Sequence, residues 1–114
     1  MTDGVELLKN RGYDSAGIYR FSKDMKDGNL IKYADEGDSS VNCIDRVVEE
    51  VLAETGTSTL GIAHTRWATC GAKVTANAHP HFDETRRFHI VHNGIITNYA
   101  EIKSKYLADT KFSS

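Results

Sequence analysis

Glycine punctuation limits what this chain can build. The 114 residues contain nine glycines and a single proline, Pro80. Gly12, Gly17, Gly28, Gly37, Gly56, Gly61, Gly71 and Gly94 cut the chain into short elements, and no internal repeat or domain boundary interrupts it. Val5, Leu7 and Leu8 suggest a short helix stopping at residues 10–12. Residues 18–21 read as a strand, 27–29 (Asp-Gly-Asn) as a hairpin turn, and 30–33 as the returning strand. From Asn42, the positions Ile44, Val47, Val48, Val51 and Leu52 follow a helical period. Residues 60–63 and 88–91 are apolar runs that predict short buried strands. Asn98 with Glu101 three residues on predicts a capping box, opening a helix whose buried stripe is Tyr99, Ile102, Tyr106 and Leu107. The order is helix, hairpin, helix, strand, long polar loop, strand, helix, an α+β or α/β pattern in a single domain spanning residues 1–114.

Composition removes several function classes. Hydrophobic residues make up 39% and charged residues 26%, a globular balance. The formal net charge of -2 argues against a chain-wide basic surface for nucleic acid or anionic lipid. No apolar run approaches the ~20 residues of a membrane helix, and residues 1–4 lack the basic-then-apolar order of a signal peptide. Two cysteines, Cys43 and Cys70, are too few for a disulfide scaffold and fit a reduced, cytosolic setting.

The loop over residues 65–87 is the anomaly, because loops beyond ~12–15 residues without structure of their own are usually functional. It overlaps the run HTRWATCG at residues 64–71. An arginine beside a tryptophan at a strand end suits a small-carboxylate pocket, with the Arg66 fork gripping the carboxylate and the Trp67 indole as an apolar wall. The same residues fit a surface arginine beside a half-buried tryptophan. The run HNG at 92–94 can form an oxyanion hole from the Asn93 amide and the Gly94 N–H; it also fits an ordinary Asn-Gly turn. RGYDSAG at 11–17 allows a tight backbone path and a buried polar cluster around Tyr13, Asp14 and Ser15.

NAHPH at 77–81 completes a stretch holding all five histidines: His64, His79, His81, His89 and His92. Their spacing matches no zinc pattern, so polar histidines near a pocket are expected rather than a metal site. Cys43 reads as a small packing residue. Cys70 could serve as a thiol nucleophile only if a base lay near it in space.

Taken together, RGYDSAG, IAHTRWAT, NAHPH and HNGIITNY, in this order, resemble the glutaminase domain of the glutamine–fructose-6-phosphate aminotransferase family. These are class II glutamine amidotransferases, and the resemblance covers about residues 5–107. It implies an N-terminal-nucleophile fold, an αββα sandwich of two stacked sheets between helix layers, here incomplete. The implied chemistry is attack on the side-chain amide of L-glutamine by an N-terminal cysteine whose α-amino group acts as base. A thioester forms, and the released ammonia passes to phosphosugar-isomerase domains, where fructose 6-phosphate becomes glucosamine 6-phosphate. No cofactor or metal is implied; the whole enzyme is expected to be a cytoplasmic homo-oligomer.

Residue by residue, the resemblance implies that Arg66 grips the glutamine α-carboxylate, with Thr69 lining the same pocket. Trp67 becomes a gate toward the ammonia path, Asn93 and Gly94 the oxyanion hole, and Arg11 and His79 supports for the active-site loops. Three departures stand out. The family's opening Cys-Gly-Ile strand has no counterpart in these residues. Cys70 stands where family members usually carry histidine. The acidic motif that would hold the substrate amine does not occur before Ser114. Thr2 is a poor replacement nucleophile, a helix-length before Arg11 with no strand to carry it to Asn93. The expectation is a partial amidotransferase domain with its first strand and C-terminal half missing, inactive alone and prone to aggregate. The alternative is a non-catalytic module that retains the carboxylate pocket and binds glutamine or a partner chain.

Overall fold

A computed structural model describes residues 1–24, 28–37, 41–54 and 56–114. The architecture is α+β. Helix α1 (Thr2–Leu7) passes through a 3-10 turn (Lys9–Arg11) into strand β1 (Ser15–Phe21). Strand β2 (Gly28–Ala34), helix α2 (Cys43–Ala53) and strand β3 (Gly61–Arg66) follow. A second 3-10 turn (Thr75–Asn77), the two-residue strands β4 (His81–Phe82) and β5 (His89–Ile90), and helix α3 (Tyr99–Tyr106) complete the order. The expected turn residue Asp27 lies outside the described residues, while Gly28 and Asn29 belong to β2 itself.

The main sheet is antiparallel with β1 in the centre, in the order β2-β1-β3. Because side chains alternate across a strand, β1 serves two faces. Ala16 and Ile18 join Val5, Ile31, Cys43, Ile44, Val47 and Val48 in the hydrophobic core, with Ala63 packed against it. Helix α2 covers this face because its apolar residues recur at helical spacing. Asn42 caps it, its Oδ1 accepting from the N–H groups of Ile44 at 2.8 Å and Asp45 at 3.1 Å. Such a cap contributes about 1 kcal/mol, and full burial of a side chain such as Val47 or Ile44 about 1.5–3 kcal/mol.

Ser15, Gly17 and Tyr19 point to the other face, beside Arg66, His64 and Ile62 of β3 and Ala34, Lys32 and Leu30 of β2. The segment from the second 3-10 turn through the β4-β5 hairpin lies on this side. The His89 ring stacks on Tyr19 at 3.5 Å between centroids, and a side chain at Gly17 would overlap the His79 carbonyl. Helices α1 and α2, a three-stranded sheet and a small hairpin thus form three successive layers.

Several expectations are corrected. Strand β3 is half-buried throughout, with Leu60 exposed just before it, because it is an edge strand. Residues 88–91 yield only the two-residue β5, with Phe88 70% and Ile90 59% exposed, so no buried strand forms there. The stretch 65–87 is not one long loop: it holds the end of β3, a 3-10 turn and β4. Leu52 keeps the helical period of α2 yet lies in solvent at 72% exposure, and Leu7, two residues from buried Val5 and so on the opposite side of α1, is 82% exposed. Helix α3 has no buried residue; Tyr99 and Tyr106 are exposed, and Ile102 and Leu107 are only half-buried. Its capping box does not form. Asn98 sits at φ -103°, ψ 24° with no side-chain cap bond, whereas a cap needs the extended backbone that aims the side-chain oxygen at the next N–H groups.

Candidate functional site

The site grows from the face of β3 opposite the core. His64 and Arg66 are two residues apart on one strand, so both side chains stand on the side that carries the hairpin. His64 Nε2 meets Asn93 Oδ1 at 2.7 Å, and the His64 and His79 rings lie 4.4 Å apart. The His92 N–H donates to His79 Nδ1 across a long 3.4 Å. Two histidines therefore tether the HNG segment, one by its side chain and one by its backbone. Gly94 follows at φ +147°, and a Cβ there would lie 3.2 Å from the His92 ring, so glycine suits this position on both counts.

Arg66 brings a cation to this face. Its guanidinium donates to the Cys70 carbonyl and, at 3.5 Å, to the Ala72 carbonyl. Two of its five N–H donors are thus directed into its own loop, leaving others for a ligand. Burial and then the neighbouring His81, His64, Arg66 and Lys32 charges push His79 down to about 4, so its ring is neutral near pH 7. Burial, Lys32 and Arg66 lower His81 in the same direction.

Lys32 was not singled out by sequence reasoning. Its Nζ donates to the carbonyls of Ala78 at 2.7 Å and of Ala76 and Pro80 at 3.4 Å, and it sits 5.6 Å from the Phe82 ring centroid. It holds residues 76–80 on the sheet by three carbonyls, and burial lowers its pKa. The available signal was a lysine at an alternating position inside an otherwise apolar strand.

RGYDSAG provides a second brace. Asp14 is 5% exposed; its Oδ2 accepts from the Ala68 N–H at 2.7 Å and its Oδ1 pairs with Lys73 at 2.6 Å. Burial alone would raise its pKa, but Lys73 and the Ala68 N–H outweigh it and the net shift is downward. Gly12 allows β3 to approach, since a Cβ there would sit 2.9 Å from the Arg66 carbonyl carbon. Of the buried polar cluster expected around Tyr13, Asp14 and Ser15, Asp14 and Ser15 are buried, whereas Tyr13 is 49% exposed and packs on Trp67 instead.

The remaining expected residues scatter around this centre. Trp67 is 55% exposed and packs edge-to-face on Tyr13 at 5.3 Å. It lines a cavity of about 530 Å³ with Lys9, Asn10, Tyr13, Asp35 and Asn42, a lining that does not include Arg66. Thr69 and Cys70 are exposed in the loop, and Arg11 is exposed at the end of the first 3-10 turn. Cys43 is buried in the core as a packing residue. Among the described residues, no group of three or more His, Cys, Asp or Glu is placed to hold a metal ion.

No protein-family model matches the chain. Individual proteins do. Glutamine–fructose-6-phosphate aminotransferase (isomerizing) of Streptococcus pneumoniae is 46% identical over 113 residues, spanning 98% of this chain and 17% of the relative. The enzymes of the same name from Oceanobacillus iheyensis and Lactiplantibacillus plantarum are each 44% identical, over 97% and 100% of this chain. The chain is a homologue of part of the glutamine–fructose-6-phosphate aminotransferases. It spans about one sixth of the length of these aminotransferases, 17% in each case. Identity at this level over the whole chain places all four motifs inside the region shared with the aminotransferases. No helix among the described residues is long and apolar enough to cross a membrane.

Proposed function

We propose that the chain is part of the glutamine-hydrolysing domain of an aminotransferase that supplies ammonia for converting fructose 6-phosphate to glucosamine 6-phosphate. Its fold is then a portion of an αββα N-terminal-nucleophile sandwich, with the three layers above as its counterpart. Glutamine lies across the outer face of β3. Arg66 takes the α-carboxylate, and Thr69 and Cys70 line its loop. The Asn93 Nδ2 and Gly94 N–H receive the negative oxygen that develops when a thiolate adds to the side-chain amide. His79 and Arg11 support the flanking loops, and Trp67 stands toward the route ammonia takes to the isomerase domains of a cytoplasmic homo-oligomeric enzyme. The single observation that carries this reading is that Arg66 and the His64-bound Asn93 share one face of the sheet.

These 114 residues hold the carboxylate and oxyanion groups but no N-terminal cysteine. They are expected to bind glutamine without hydrolysing it. Calorimetric titration should show glutamine binding that falls at least about tenfold in Arg66→Ala, the scale of a charge-assisted pair. A wild-type chain that binds no glutamine would refute the pocket. Ammonia release abolished by Cys70→Ala would refute the inactivity and make Cys70 the nucleophile.

A further inference from the structure

Asn93 is exposed, and an exposed side-chain amide turns freely unless a neighbour holds one orientation. Only one orientation serves an oxyanion, with Oδ1 engaged elsewhere and the Nδ2 protons facing outward. His64 supplies the hold through its 2.7 Å contact to Oδ1. Its other ring nitrogen, Nδ1, is buried with no hydrogen-bond partner. The proton placement follows from that asymmetry. With the proton on Nε2, the ring donates to Asn93 and the buried Nδ1 is a bare lone pair. The reverse would bury an unpaired N–H, the rarer and costlier arrangement.

We propose that His64 is a positioning residue: its Nε2–H clamps Asn93 Oδ1 and so aims the Asn93 Nδ2 protons at the developing oxyanion. The proposal rests on the oxyanion role given to Asn93 above. The clamp is itself braced. His64 sits mid-strand opposite Gly17 of β1, its ring lies against His79, and His79 holds the backbone of the preceding residue, His92. The amide is thus tied to β3, and the backbone that precedes it to the NAHPH segment on the same face of the sheet.

Nitrogen-15 imidazole spectra of the 114-residue chain read the tautomer directly, and the Nε2–H form of His64 is the expected result. His64→Phe keeps a ring and removes the donor; it should move the Asn93 side-chain amide signals to solvent-averaged positions. His64→Gln restores an N–H donor and should return them, which a purely space-filling role would not produce. Glutamate is the binding probe, because its γ-carboxylate presents an anionic oxygen to the same donors. Its affinity should fall about tenfold in His64→Phe and recover in His64→Gln. An Nδ1–H tautomer in the wild-type chain, or Asn93 amide signals unmoved by His64→Phe, would overturn the proposal. If the wild-type chain binds neither amino acid while the spectra are as expected, the glutamine reading fails and the clamp stands.

Discussion

Desolvation of the His79 ring, reinforced by the His81, His64, Arg66 and Lys32 charges, holds it neutral in the folded chain, and the consequence is measurable. Its ordinary value of 6.5 falls to about 4, so between those values the unfolded chain takes up a proton that the folded chain refuses. Stability from this group is complete above pH 6.5 and is lost as the pH falls toward 4, with a magnitude on the order of 1–3 kcal/mol. Denaturant titrations across that window should show a pH slope that His79→Gln flattens. His81 and His89, lowered in the same direction chiefly by burial, keep part of the slope in that variant. The thiols diverge for a similar reason. Burial pushes Cys43 upward in pKa and shields it in the core, whereas Cys70 is open to solvent. A thiol reagent should titrate one cysteine in the native chain, lose that signal in Cys70→Ser, and reach Cys43 only on unfolding.

Among the elements, β1 carries the greatest constraint because both of its faces are covered. Ile18 and Ala16 face the helices, while Gly17 on the other face lies against the His79 carbonyl. Gly17→Ala would drive a methyl into the His79 carbonyl and against the Lys32 Cβ. The expected cost is about 1–3 kcal/mol, read by denaturant midpoint, with displaced His79 and His92 resonances as the local sign. On the helical side, Ile44→Ala in α2 removes a fully buried side chain and should cost about 2–5 kcal/mol. Helix α3 behaves differently: with no residue buried and no side-chain cap, it should be the first element to lose hydrogen-exchange protection.

At the scale of the molecule, the C-terminal third leaves several large apolar residues uncovered. Ile95 is 77% exposed, Ile96 55%, Tyr99 63% and Phe88 70%. Apolar surface of this kind favours association. Light scattering on the 114-residue chain should show self-association that Ile95→Lys combined with Tyr99→Lys reduces; a monodisperse monomer at high concentration would contradict this. The polar outer face of the sheet is organised instead by cations and carbonyls. Lys32 binds three carbonyls, Arg66 binds two, and Asp14 with Lys73 holds the turn after β3.

The elements that were legible in the sequence are those whose stability is local or periodic. The hairpin of β1 and β2 and the period of α2 were readable because alternation and helical spacing are properties of neighbouring residues, whereas the Asn42 cap emerged only from the backbone geometry. The RGYDSAG cluster was readable for the same reason, as glycines around buried polar groups have few other uses. The short exposed β5, the uncapped α3 and the outward Leu52 were not, because propensity and period say which side chains share a face but not whether anything covers it. The four motifs, ordered along the chain, were enough by themselves to connect it to its relatives. Only the tertiary structure brought His64, Arg66, His79 and Asn93 to one sheet face, found Lys32 beneath them and separated Trp67 from Arg66. Those relations depend on strand order, register and loop path, which are set by long-range packing rather than by any short run of residues.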